Sequence, residues 1–129
     1  MDKGMKRASS NIGYEVTSIR FSAGFASQWK PAMNVYRCEE RLILCLDLAG
    51  VEPREVQVEI QPRRLILRGS RPPPEPECGQ HKVLQVLAME IDYGQFRREF
   101  ALPFEVAAAK AKKEIRDGFL WIDLPIRTH

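Results

Sequence analysis

Histidine is nearly absent from this chain and cysteine is sparse. The two histidines, His81 and His129, stand far from the serines, which lie almost wholly within the first 30 residues. A Ser–His or Cys–His pair therefore has little to be built from. No Gly-rich phosphate loop is present either. The sequence predicts no catalytic residue, no cofactor and no enzyme. The three cysteines, Cys38, Cys45 and Cys78, are odd in number and lack framework spacing, which argues against a disulfide-built secreted domain. Cys78 and His81 have the spacing of half a metal site, but no second pair lies nearby, so no metal is expected. Cys78 is instead a candidate for an intersubunit disulfide on oxidation. No apolar run approaches the roughly 18 residues of a membrane span. The basic residues Lys3, Lys6 and Arg7 are followed by no continuous apolar stretch, so the expected location is the cytoplasm. The net charge is only +3, and the signs alternate, as in Arg37-Cys38-Glu39-Glu40-Arg41. That pattern does not read as a nucleic-acid footprint.

What is present is a chain of 129 residues with 44% hydrophobic and 29% charged residues, enough for one domain with its own core. Residues 1–30 are rich in Ser, Ala and Gly, with scattered apolar side chains; they read as a flexible arm. The domain proper is expected over 31–125, with a short extension over 126–129. Within it the pattern is that of short strands separated by turn signals. In Arg41–Leu48, Leu42, Leu44, Leu46 and Leu48 share one face and Arg41, Ile43, Cys45 and Asp47 the other. Val56, Val58 and Ile60 alternate with Gln57 and Glu59, and Leu65 and Leu67 begin another strand. The run Arg71–Gly79, RPPPEPECG, must be a loop because proline lacks the ladder donor. Beyond it, Val83, Leu84, Val86, Leu87 and Met89 suit a strand or a short helix, with the strand favoured. Phe96, Arg98, Phe100 and Leu102 alternate with Arg97, Glu99 and Ala101. Ala107–Lys113 has helix propensity but is too short for more than a turn. Asp117-Gly118 is a hairpin signal, followed by Leu120, Ile122 and Leu124 alternating with Trp121 and Asp123. Seven or eight short strands and no strong helix predict an all-β, antiparallel sandwich.

Five blocks resemble the small heat-shock protein (alpha-crystallin domain) family, bacterial type. Trp29-Lys30-Pro31-Ala32-Met33-Asn34-Val35-Tyr36 is similar to W-x-P-x-x-D-V-Y, with Asn34 for Asp. Leu48-Ala49-Gly50-Val51 is similar to L-P-G-V, with Ala49 for Pro. Leu65-Ile66-Leu67-Arg68-Gly69 is similar to L-x-I-x-G. Glu90–Pro103 is close to E-x-x-Y-G-x-F-x-R-x-F-x-L-P, and Asp117–Pro125 resembles N-G-V-L-x-I-x-L-P. The resemblance covers residues 29–125. It implies an immunoglobulin-like sandwich whose long loop carries a strand exchanged in a homodimer, here residues 83–89.

The resemblance also implies site residues. Val83, Val86, Leu87 and Met89 would lie in the dimer interface, with Glu90 and Arg98 as an ion pair across it; a guanidinium suits that work because it binds a carboxylate through two hydrogen bonds. An ordinary surface pair within one subunit is the alternative. Val56, Val58, Ile60 and Ile115 would line an edge groove that takes an apolar-x-apolar tail, although Val56 and Ile60 serve equally well as core. Two departures stand out. The sequence ends four residues beyond Pro125, and Lys113 replaces a small residue. Both predict dimers or small oligomers over a large shell. Ile19-Arg20-Phe21 and Ile12-Gly13-Tyr14 have the spacing to dock in that groove in the tail's place. Ile19, Phe21 and Phe25 are candidate client contacts, while Trp29 better suits a staple at the domain start. The function implied is an ATP-independent holdase that binds unfolded client proteins; the alternative is a structural, adaptor or co-chaperone module with one specific partner.

Overall fold

Alternation written into the sequence becomes two facing sheets. The computed structural model describes residues 28–127, and the arm candidates Ile19, Phe21 and Phe25 lie outside the described residues. Among the described residues there are seven strands: β1 (Met33–Cys38), β2 (Arg41–Asp47), β3 (Val56–Gln61), β4 (Arg64–Arg71), β5 (Gly94–Ala101), β6 (Lys112–Arg116) and β7 (Phe119–Pro125). One sheet has the order β1-β2-β7-β6 and the other β3-β4-β5, with every pairing antiparallel. Single turns of 3-10 helix at Pro53–Glu55 and Ala108–Lys110 sit in the crossings between sheets. The alanine-rich run thus yields a turn and no more, as its length requires.

The leucine face of β2 and its continuation, Leu42, Leu44, Leu46 and Leu48, is fully buried. Leu120, Ile122 and Leu124 of β7 face the same interior, opposed by Leu65 and Leu67 of β4 and Phe96 of β5. Each such side chain contributes about 1.5–3 kcal/mol of apolar burial. The β6–β7 hairpin closes on Asp117 and Gly118, both at positive φ (55° and 83°), the two-residue turn whose twist matches the strands.

The structure departs from the sequence pattern at three places. Met33–Cys38 forms an edge strand that alternation did not mark, because no residue of it is fully buried. Ile66 points to the outer face of its sheet yet is buried. It lies in register between Glu59 and Glu99, and the polar groups around it, Arg64–Glu99, Arg97–Glu99 and Gln61–Glu59, close over it. Residues 83–89 form neither strand nor helix in the single chain. The physical reason is the lack of an edge to pair with: a lone extended segment out on a loop has no ladder partner.

Candidate functional site

The loop over residues 72–93 leaves the sheet after Arg71 and returns at Gly94, a pair in register across β4 and β5. Proline holds its first half extended. Its second half carries exposed apolar side chains: Leu84 is 97% exposed and Leu87 85%, and Val83, Val86, Met89, Ile91 and Tyr93 are exposed as well. A globular domain this small rarely leaves so many large apolar groups together in water without a use for them.

Among the described residues the two sheets end in four edge strands, two on each flank of the sandwich. Arg98 of β5 donates from Nη1 to the carbonyl of Pro31, 2.9 Å away and just ahead of β1. The β1 and β5 edges therefore share one flank, and β3 and β6 share the other. Among the described residues β1 has a neighbour only on its β2 side, so its other row of backbone donors and acceptors is there open to a further strand. On the opposite flank, Val56, Val58 and Ile60 of β3 and Ile115 of β6 are half-buried and pack against the core. Their packing makes them part of the core wall, and their place on the two edge strands is where the expected groove would lie. Lys113 is exposed on β6, in register with the buried Ile122, and so lies on the same face of the sheet as Ile122. Ile126 is pinned elsewhere, donating its backbone N–H to Glu40 and bridging Val106.

Arg98 and Glu90 are not brought together in the single chain. Arg98 is half-buried and spends a donor on Pro31; Glu90 is exposed at the loop's end and makes no ion pair among the described residues. Trp29 is held on the sandwich by four contacts. Its backbone bridges β5 beside Phe96, its ring meets Phe96 edge-on at 5.2 Å, its indole N–H donates to Gly94, and the Arg71 guanidinium covers its face at 4.3 Å. Arg71 itself carries no signal in the sequence beyond being the last residue of a strand before the prolines. The structure gives it a larger place, bonded to the backbone of both Ala49 and Asp92.

Of the thiols, Cys38 and Cys78 are exposed and Cys45 is partly covered. Burial pushes the Cys45 thiol up from its ordinary value, Asp47 adds to this, and Arg116 opposes it. Among the described residues there is no group of three or more His, Cys, Asp or Glu placed to hold a metal, and no helix is long and apolar enough to cross a membrane.

Comparisons with known proteins agree with the fold. The model of the Hsp20/alpha crystallin family matches residues 35–129. The chain is 29% identical over 94 residues to "18 kDa antigen 1" of Mycobacterium avium, covering 73% of this chain and 60% of that protein. It is 29% identical over 99 residues to "Probable 15 kDa heat shock protein" of Leptospira interrogans, covering 75% and 70%. Among solved structures, hspA from Xanthomonas axonopodis superposes with a TM-score of 0.65 at 29% identity, covering 78% of this chain and 97% of the other. The chain thus spans less than two thirds of the first of these relatives, and nearly all of the solved domain.

Proposed function

The chain belongs to the Hsp20/alpha crystallin family, and on that premise we propose that it is an ATP-independent holding chaperone of the cytoplasm, a homodimer at its base, that binds partly unfolded proteins and keeps them from aggregating. One observation carries the proposal: the exposed apolar run from Val83 to Tyr93 stands on the same molecule as the open edge of β1. Residues 83–89 of one subunit, laid along β1 of another, would gain the ladder that the single chain denies them and cover their apolar side chains. The exchange is reciprocal, so two subunits satisfy each other.

Client binding draws on what such a dimer leaves open. The β3–β6 groove offers half-buried valine and isoleucine beside unpaired backbone, a surface to which an extended apolar segment can add as a strand. Unfolded proteins expose segments of that kind. No step consumes a nucleotide, because holding an apolar segment away from others of its kind is an equilibrium association driven by buried area.

Two unrelated, heat-labile proteins are warmed with and without the chain in the absence of ATP, and light scattering is followed. Suppression of both supports the holdase. Suppression of neither, with tight binding to a single partner, supports an adaptor instead.

A further inference from the structure

Arg71 sits where three separate parts of the chain meet. Its Nε donates to the Asp92 carbonyl at 3.0 Å and its Nη2 donates to the same oxygen, while Nη1 donates to the Ala49 carbonyl at 3.0 Å. The other side of the guanidinium lies over the Trp29 ring. Trp29 in turn donates its indole N–H to Gly94 at 3.2 Å. The contacts close into a ring: Arg71 to Asp92, along the chain to Gly94, across to Trp29 and back to Arg71. Asp92 and Gly94 are the returning end of the 72–93 loop, Arg71 is its departing end, and Trp29 is the root of the arm.

We infer that Arg71 is a positioning residue that couples the root of the N-terminal arm to the neck of the exchange loop. This rests on the reading of residues 83–89 as the exchanged strand. The guanidinium is suited to the task because its planar fork can bond two carbonyls while its face stays free to stack. The three bonds lie at the surface, and the Trp29 ring stacked on one face holds the fork in the plane that reaches both carbonyls. Displacing Trp29 frees the guanidinium to turn away and weakens its grip on Asp92 and Ala49. Pulling the loop moves Gly94 and removes the indole's acceptor. Each end thus senses the other, and the effect is reciprocal because it is a coupling free energy. An event that draws Trp29 off the sandwich loosens the loop neck and lowers dimer affinity.

The test uses the full chain and the variants Arg71→Ala, Arg71→Lys, Trp29→Ala and Trp29→Ala/Arg71→Ala. Dimer dissociation is followed by dilution, backbone exchange at 91–94 and 29–30 by mass spectrometry, and folding by far-UV circular dichroism. Arg71→Ala and Trp29→Ala are each expected to raise the dimer dissociation constant about tenfold, the loss of a charged hydrogen-bonding group, and to speed exchange at both segments. Arg71→Lys keeps the charge without the fork and falls between; it also carries the test should Arg71→Ala not fold. The double variant should be no worse than the worse single. Additive effects, or unchanged exchange at 91–94 in Arg71→Ala and Arg71→Lys, overturn the inference. A wild-type chain that stays monomeric at every concentration instead overturns the exchanged strand, and the exchange measurement still decides the clasp.

Discussion

The Phe96 ring occupies the space that a β-carbon on Gly69 would need. The two residues are cross-strand partners in β4 and β5, and a side chain at Gly69 would collide both with that ring and with the Glu55 carbonyl. Phe96 is among the largest fully buried side chains and Glu55 ends a 3-10 turn, so neither can swing aside freely. Gly69→Ala is therefore expected to destabilise the fold by about 2 kcal/mol or more, at the upper part of the range for overpacking. The midpoint of urea unfolding checks it; an unchanged midpoint would show that the ring can give.

The apolar loop makes a sharper separation. Val86 and Leu87 sit on adjacent positions, so one of them must face inward on any strand the segment joins. Both are exposed in the single chain. Replacing both with Asp should leave the circular dichroism of the domain intact while dimers dissociate to monomers, as read by native mass measurement. Retained dimers would place the interface elsewhere.

Much of the sandwich is legible in the sequence because period-2 alternation is a direct consequence of one buried face. Leu42 to Leu48 and Leu120 to Leu124 are examples. β1 was hidden because an edge strand with a mostly exposed surface has no such pattern, and Ile66 because its cover comes from charged neighbours on two other strands. The candidate site divides in the same way. Apolar residues at 83–89 are evident by composition, yet their strand depends on a second molecule and has no local cause. Arg71 is invisible in one dimension: its partners at 29, 49 and 92 are brought together only by the crossing of the two sheets.

Arg98 has two possible reasons to matter, and they can be told apart. It holds the Pro31 carbonyl within its own chain, and in a dimer it would meet Glu90. Arg98→Glu should weaken the dimer by both routes. If the pair crosses the interface, adding Glu90→Arg restores the dimer, because the swapped charges attract again. If the dimer is lost in Arg98→Glu and the swap restores nothing, the Pro31 contact is the one that counts. Analytical ultracentrifugation across a dilution series gives the answer.

Cys45 offers a reading of the outer face of the four-stranded sheet. Its thiol is pushed up chiefly by burial, then by the negative charge of Asp47 on the same face of β2, with Arg116 pulling the other way. The thiolate is the reactive form, so a raised pKa means less of it at any given pH. Alkylation of the native chain should therefore label exposed Cys38 and Cys78 first, with Cys45 lagging and its rate climbing only at more alkaline pH. Asp47→Asn removes a charge that disfavours the thiolate while leaving an oxygen to accept from the Ala49 N–H, as Asp47 now does. It should lower the Cys45 pKa and speed labelling. Arg116→Gln removes the opposing charge and should slow it. Burial leads both electrostatic effects, so neither substitution should bring Cys45 level with the exposed thiols in the folded protein, whereas unfolding in urea should equalise all three. Peptide mapping after timed alkylation reads each site separately, and a Cys45 that reacts as fast as Cys38 in the native chain would show that this face opens to solvent.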